Sequence, residues 1–252
     1  MNILLIQLGD IGDVVLTIPS IESLSKNFTN SNIFVAVREK AKDILEDSPL
    51  IKGVIYVNQD KRKIIKEIKY QIKFFLKLRK MKFDLAIDMR TGTRGAILAF
   101  LSGAKTRVSF YADDGKLWRN RLFTHLFKID YISGQYVSEY YLSLLKEYGL
   151  KTDNIIPHIY VNNNIEKEAK TILKHENIPL DKPIVIIQPF SLWQYKEWQK
   201  DKYISIIKKI KAKYDVSIII TGSSSESERA KEIVEPQKDG VYNFCGKTSI
   251  GL

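Results

Sequence analysis

Among its 252 residues the chain has a single cysteine, Cys245, so it holds no internal disulfide framework and its composition suits a reducing compartment. No Cys/His cluster has the spacing of metal ligands, which removes structural zinc from consideration. No apolar run approaches the roughly 20 residues needed to span a bilayer, so any membrane contact is expected to be peripheral. The N-terminus lacks the basic flank, apolar core and small-residue cleavage site of a signal peptide, because Ile3 to Leu8 is short and runs directly into Gly9 and Asp10. It reads as a buried strand, and the expected location is the cytoplasm.

At 44% hydrophobic residues the chain can bury a core large enough for one large or two modest domains. Its net charge of +11 is concentrated: residues 61–82 hold ten Lys or Arg against one acid, Glu67. Clustered positive charge implies an acidic partner, whereas scattered lysines imply only solubility.

Strand-length apolar runs alternate with helical patterns through NILLIQL, SIESLSKNF, NIFVAV, KAKDILED, GVIYV, the basic segment and FDLAIDM. That order predicts an α/β fold of βαβ units, with a parallel sheet covered on both faces. Pro19 falls inside the first helical pattern and predicts that the helix starts or kinks there. A helix at TRGAILAFLSGA, a strand at RVSF, an irregular aromatic and basic stretch from Tyr111 to Gly134, and a helix at QYVSEYYLSLLKEYGL follow. Pro157 and the asparagines at 162–164 have linker character, so domains of 1–158 and 159–252 are expected. The second half restarts the alternation and reaches about three strands, fewer than the roughly five or six of an average sheet. It reads as truncated at its C-terminus.

The turn LGDIGDVV after the first strand fails both common phosphate-binding patterns. A dinucleotide fingerprint would put Gln7 where the first glycine belongs, and no Lys-Ser/Thr pair follows to make a P-loop. The second strand also ends in Arg38 rather than an acid, which argues against a nicotinamide-dependent dehydrogenase. Asp13 is then either an N-cap favoured by the helix dipole or a general base at the strand's carboxyl end, where open α/β sheets bind ligands. Gly12 beside it leaves room for a substrate at the backbone, and Asp10 reads as a turn residue.

In the second half, Ser191 and Lys196 of PFSLWQYKEW occupy the corresponding strand end. They suit a diphosphate site aided by the next helix N-terminus, or else a surface loop with a solvated lysine; Trp193 and Trp198 suit packing. In TGSSSESERAKEI, Gly222 opens the turn, and Glu226 and Glu228 either complement the helix dipole or accept hydrogen bonds from ribose hydroxyls. The basic helix, with apolar Ile64, Ile65, Ile68, Ile72, Phe75, Leu76 and Leu78, is expected to bury one face on the sheet and leave its cations solvated. A cationic amphipathic helix also fits attachment to anionic lipid or to a phosphorylated lipid-linked substrate. Nucleic acid is not expected, because no recognised module accompanies the charge.

LGDIGDVVLTIPSIESL, FDLAIDMRTGTRGAILAFLSGAKTRVSF, QPFSLWQYKEW and IIITGSSSESERAKEI with FCGKTS, in that order, resemble the motifs of the bacterial lipopolysaccharide heptosyltransferase family, glycosyltransferase family 9. The resemblance covers nearly the whole chain. It implies a GT-B architecture of two Rossmann-like domains, acceptor bound mainly by the first and nucleotide sugar by the second. It also implies inverting transfer from a nucleotide sugar, typically ADP-heptose, to a lipid-linked glycan, with neither metal nor cofactor. By the same resemblance Asp13 falls on the catalytic base, with Gly12, Arg90 and Arg94 on the acceptor side. Lys196 falls on a diphosphate-binding lysine and Ser191 on a phosphate-contacting hydroxyl, with Gly222 also on the donor nucleotide side and either Glu226 or Glu228 near the ribose-binding acid. A peripheral contact with the anionic inner membrane through residues 61–82 fits that setting. The sequence stops at Leu252 before the Asp-(Ser/Thr)-Gly-x-x-His-like block that the family pattern places next, so it reads either as a fragment of a longer protein or as a naturally shortened member. The second reading motivates an alternative, a non-catalytic remnant or binding module docking through the basic helix.

Overall fold

The computed structural model describes residues 1–58, 64–113, 117–237 and 239–251. Lys61, Arg62 and Lys63 of the basic segment, the side chain of Ile64, and Leu252 lie outside the described residues. The chain divides into two compact units, Met1–Val161 and Asn162–Leu252.

In the first unit, six parallel strands run in the order β3-β2-β1-β4-β5-β6. These are β1 (Asn2–Gln7), β2 (Asn32–Arg38), β3 (Gly53–Val57), β4 (Leu85–Asp88), β5 (Thr106–Phe110) and β6 (His125–Phe127). Residues 3–7 of β1 and all four of β4 are buried, as expected of central strands covered on both faces, which have no polar side to alternate. Helices α1 (Ile11–Asn27) and α5 (Val137–Glu147) cover one face, where Ile18, Ile21 and Leu144 pack with Leu5, Val35 and Ile87. The other face carries α2 (Ile64–Lys80) and α3 (Thr93–Leu101), with Leu78, Ala96 and Leu98 among Leu4, Ile6 and Ala86. Strand order reverses between β1 and β4, which opens a crevice at their carboxyl ends.

Four sequence expectations need correction. Helix α1 does not start at Pro19: it begins at Ile11 and carries the proline inside, buried. Its start is set by Asp10 and Asp13, described below. The KAKDILED segment forms a 3-10 helix over Glu39–Ile44 rather than an α-helix. The irregular stretch after β5 contains a short helix α4 (Leu117–Asn120) and the sixth strand. The basic helix does bury a face, but not the one its isoleucines define. Leu78 is buried and Phe74 and Phe75 pack beside it, whereas Ile65, Ile68, Ile72 and Leu76 are 71%, 54%, 56% and 58% exposed.

The second unit comprises α6 (Asn163–His175), β7 (Ile184–Ile187), α7 (Lys200–Lys213), β8 (Ser217–Ile220), α8 (Ser227–Val234) and β9 (Val241–Asn243). Asn162 caps α6, its side-chain oxygen accepting from the amides of Asn164 at 2.8 Å and Ile165 at 3.0 Å. The three strands are parallel in the order β7-β8-β9. Ile218 and Ile220 of β8 bury against Ile207 of α7 and Ala230 and Ile233 of α8.

Candidate active site

Asp10 is the N-cap of α1, and Asp13 stands at the third helical position. The Asp10 amide donates to Asp13 Oδ2 at 2.9 Å, so one oxygen of Asp13 satisfies an amide that the helix start would leave unpaired. The same oxygen accepts from Arg90 Nη1 at 2.7 Å, and Oδ1 accepts from the Tyr141 hydroxyl at 3.0 Å. Three segments distant in sequence thus converge on one carboxylate at the carboxyl ends of β1 and β4. Tyr141 is held there because α5 docks on α1, with Ser138 Oγ donating to the Leu16 carbonyl at 2.9 Å. Burial, and then the Asp13 charge, push the Tyr141 hydroxyl up to about 12, so it acts as a neutral donor.

Gly9 is required by this geometry. A Cβ there would lie 2.2 Å from Asp13 Oδ2 and 2.5 Å from Arg90 Nη1, whereas one on Gly12 would meet nothing within 4 Å. Gln7, which breaks the dinucleotide fingerprint, is fully buried and closes the turn from inside. Its side-chain oxygen accepts from the Gly9 amide at 3.1 Å while its amide donates to Thr17 Oγ1 at 2.8 Å. The backbone donor that a phosphate loop would offer to its ligand is therefore spent within the turn. Asp10 points to Arg38 Nη1 at 3.2 Å and Lys40 Nζ at 2.5 Å. Lys40 chiefly holds its carboxyl below the usual range.

Arg90 is anchored by a buried network beneath it. Asp88 and Arg119 are both almost wholly buried, with Arg119 Nη2 3.4 Å from Asp88 Oδ2. Arg119 also donates to Ser109 Oγ at 2.7 Å, to the Phe110 carbonyl at 2.8 Å and to the Arg90 carbonyl at 3.0 Å, and the Arg90 amide donates to Asp88 Oδ1 at 3.2 Å. Burial pushes the Asp88 carboxyl up to about 7 despite the opposing pull of Arg119. Gly95 makes room for it, since a Cβ there would sit 2.4 Å from Asp88 Oδ2. Arg94, in the first turn of α3, does not join this cluster and donates to the Asn58 carbonyl at 2.8 Å.

Asp13 and Arg90 line an open hollow of about 280 Å³ together with Phe110, Tyr131, Tyr140 and Tyr141. Aromatic walls with a few convergent polar groups are the usual furnishing of a small-molecule site. A larger hollow of about 480 Å³ between β3 and α2 is mostly apolar, walled by Phe34, Ile55, Phe74 and Leu78. Glu39, Asn58, Lys73 and Lys77 stand at its polar side, and Asn58 Nδ2 donates to Glu39 Oε2 at 2.9 Å.

In the second unit, Ser191 and Gly222 follow the adjacent parallel strands β7 and β8. Thr221 Oγ1 donates to Gln188 Oε1 at 2.7 Å, joining the two strand ends. A Cβ on Gly222 would lie 2.9 Å from each of Phe190, Cys245 and Glu226, so the loops are closely fitted. Glu226 accepts from the Ser223 amide at 2.6 Å and the Ser223 hydroxyl at 2.9 Å, which places it at the turn. Glu228 faces solvent and pairs with Lys231 at 2.6 Å. Lys196 ends a 3-10 turn over Gln194–Lys196 and is exposed, its ammonium 5.8 Å from the Tyr195 ring centre.

The residue that fixes the Ser191 loop is one the sequence does not advertise. Glu197 accepts from the Ser191 amide at 2.8 Å and from the Arg229 guanidinium. Both partners, Arg229 foremost, hold its carboxyl below the usual range. Tyr141, Asp88 and Arg119 in the first unit are marked no more strongly; the tyrosine pair in SEYYLSLL and the aspartate ending FDLAID are the signals the sequence carries.

These arrangements have relatives. Lipopolysaccharide heptosyltransferase 3 of Escherichia coli is 25% identical over 243 residues, spanning 94% of this chain and 69% of that protein. The crystal structure of a family 9 glycosyl transferase from Veillonella parvula superposes with a TM-score of 0.84 at 20% identity, covering 99% of this chain and 70% of that one. The Escherichia coli ADP-heptose lipopolysaccharide heptosyltransferase II gives a TM-score of 0.82 at 17% identity, covering 100% and 74%. At those identities the structures speak for the fold, which is of the GT-B type with Rossmann-like α/β units. The family model for glycosyltransferase family 9 (heptosyltransferase) matches residues 71–251, most of the chain and both of its units, and the chain belongs to that family of glycosyltransferases.

Proposed function

We propose that the chain moves a heptose, or a related sugar, from a nucleotide sugar such as ADP-heptose to a lipopolysaccharide core or similar lipid-linked glycan, with inversion at the anomeric carbon. The first unit takes the acceptor and the second the nucleotide sugar. The observation that carries this reading is the Asp13 carboxylate, held by Arg90 and Tyr141 at the edge of an aromatic hollow. The relatives' names, which refer to ADP-heptose and lipopolysaccharide, supply the substrate class.

In the proposed reaction Asp13 takes the proton of an acceptor hydroxyl as that oxygen bonds to the anomeric carbon. The bond from that carbon to the diphosphate oxygen breaks on the opposite face, and the nucleoside diphosphate leaves with the electron pair. Lys196, the Ser191 hydroxyl and nearby backbone amides offset the charge growing on the diphosphate, a role that needs no metal when donors are already in place. Glu226, set at the turn beside Gly222, suits a ribose hydroxyl better than the solvent-facing Glu228.

The test is transfer by the purified chain, with ADP-heptose as donor and a lipid A-core oligosaccharide as acceptor, read as ADP release and product mass. Asp13→Ala is expected to lower turnover by about a hundredfold to ten-thousandfold while circular dichroism stays unchanged. An active wild type with an equally active Asp13→Ala variant would remove Asp13 from the mechanism.

A further inference from the structure

Successive residues of an α-helix point about 100° apart, and on that wheel α2 divides into three sectors. One, around Phe74 and Leu78, meets the sheet. The second, spanning Ile68, Ile72, Ile65 and Leu76, is aliphatic apart from the exposed Arg79 in the last turn, and each of those four is more than half exposed. The third, adjoining the second, is cationic throughout and exposed: Lys69, Lys80, Lys73, Lys66 and Lys77. A water-facing helix would ordinarily carry polar residues over both outer sectors.

The aliphatic sector continues onto α3. Ile68, Ile72 and Leu76 share a shallow trough of about 430 Å³ with Leu101, and Ile97 and Phe100, on the same side of α3 by helical spacing, are 38% and 48% exposed. A contiguous apolar surface of this kind marks an interaction site. Among the described residues none of the five lysines is in an ion pair, so their charge is available to an external anion. Glu67, the only acid in 61–82, lies at the inner edge of that trough, where its Oε1 accepts from Gln71 Nε2 at 2.6 Å.

We propose that this face of α2 seats on an anionic lipid bilayer, its aliphatic sector entering the boundary between headgroups and acyl chains and its lysines meeting lipid phosphates. Charge complementarity selects the occupant. An aliphatic strip from Ile65 to Leu76, flanked by lysines that are in no ion pair among the described residues, matches a helix lying in the plane of an anionic interface. A second copy of the chain would bring five more lysines against the first five. The proposal goes beyond the transfer reaction and does not depend on it.

Sedimentation of the full chain with phosphatidylcholine vesicles, with and without phosphatidylglycerol, tests the idea. Binding is expected to the phosphatidylglycerol vesicles. It should weaken by about tenfold or more when salt shortens the Debye length from about 10 Å to about 3 Å. Ile68→Glu with Ile72→Glu should weaken it by about tenfold at unchanged circular dichroism, and so should Lys69→Glu with Lys73→Glu. Because glutamate adds charge as well as removing apolar surface, Ile68→Ser with Ile72→Ser serves as the uncharged counterpart and should weaken binding in the same direction. Absence of binding to phosphatidylglycerol vesicles overturns the proposal, as does binding that neither set of variants alters. Concentration-dependent dimerisation abolished by the isoleucine variants, with no vesicle affinity, would assign the face to a second copy and overturn it as well. An active transferase lacking vesicle affinity would sink the docking surface alone and leave the reaction reading intact.

Discussion

Arg90 Nη1 lies 2.7 Å from Asp13 Oδ2, and the arginine's own backbone is tied to the buried Asp88 and Arg119. The carboxylate is therefore positioned from the β4 side as well as from its own helix. Arg90 is 45% exposed, so the pair contributes only about 0–1 kcal/mol to stability. Arg90→Ala is expected to lower turnover by about tenfold to a hundredfold by releasing Asp13 from its aim, with an unfolding midpoint close to wild type. Transfer kinetics alongside thermal unfolding check this; unchanged turnover would show that Asp13 needs no such partner.

The two glycines of the first turn should part company. Gly9→Ala forces its methyl into the Asp13–Arg90 contact, and overpacking of this kind costs about 1–3 kcal/mol. Activity should fall nearly as far as in Asp13→Ala. Gly12→Ala meets no neighbour and lies within the first turn of α1, where exchanging glycine for alanine gains up to about 1 kcal/mol. The expected signature is a more stable protein whose KM for the acceptor rises while its KM for the donor does not. A destabilised Gly12→Ala, or a fully active Gly9→Ala, would contradict the geometry.

Local pattern made the alternation of strands and helices readable, because each central strand is an unbroken apolar run and each helix carries its own period. It also put Asp13 at the end of β1, since a Gly-Asp turn after such a run has few other places to go. Contacts across long sequence separation were not readable. Tyr141 reaches Asp13 across 128 residues and Arg119 reaches Asp88 across 31, and neither leaves a periodic trace. The packing of helix α2 is not legible for another reason. Its apolar residues cover more than half of the wheel, so pattern alone could not say which arc meets the sheet; Phe74 and Leu78 fit between helix and strands, and the isoleucines are left outside.

Asp88 should make stability fall as pH rises. Its ordinary value of 3.8 is pushed up to about 7 in the folded protein, chiefly by burial. Between those values the folded chain keeps a proton that the unfolded chain releases. The unfolded state then binds fewer protons, and this group's contribution to stability declines with increasing pH through that window. Asp88→Asn, which mimics the protonated carboxyl, should lose that decline. Urea unfolding at about pH 5 and about pH 8 measures it: the wild type should be relatively stronger against the variant at the lower pH. The opposite ordering would mean that Asp88 stays ionised beside Arg119.

Glu197 and Lys196 are neighbours with separable roles. Glu197 is nearly buried, accepts from the Ser191 amide and pairs with Arg229, so the shape of the loop depends on it. Glu197→Ala strands that amide and Arg229, at a cost of about 1–3 kcal/mol, and should raise KM for the nucleotide sugar several-fold by loosening the loop. Lys196 is exposed and its removal disturbs no packing. Lys196→Ala should therefore leave the unfolding midpoint unchanged while lowering kcat, by about tenfold or more, because its charge is needed most when the diphosphate departs. Donor-dependent kinetics on the two variants separate scaffold from contact. If Lys196→Ala changed neither kcat nor KM, the diphosphate would have to be held elsewhere in the second unit, and the turn around Gly222 and Ser223 would become the next place to substitute.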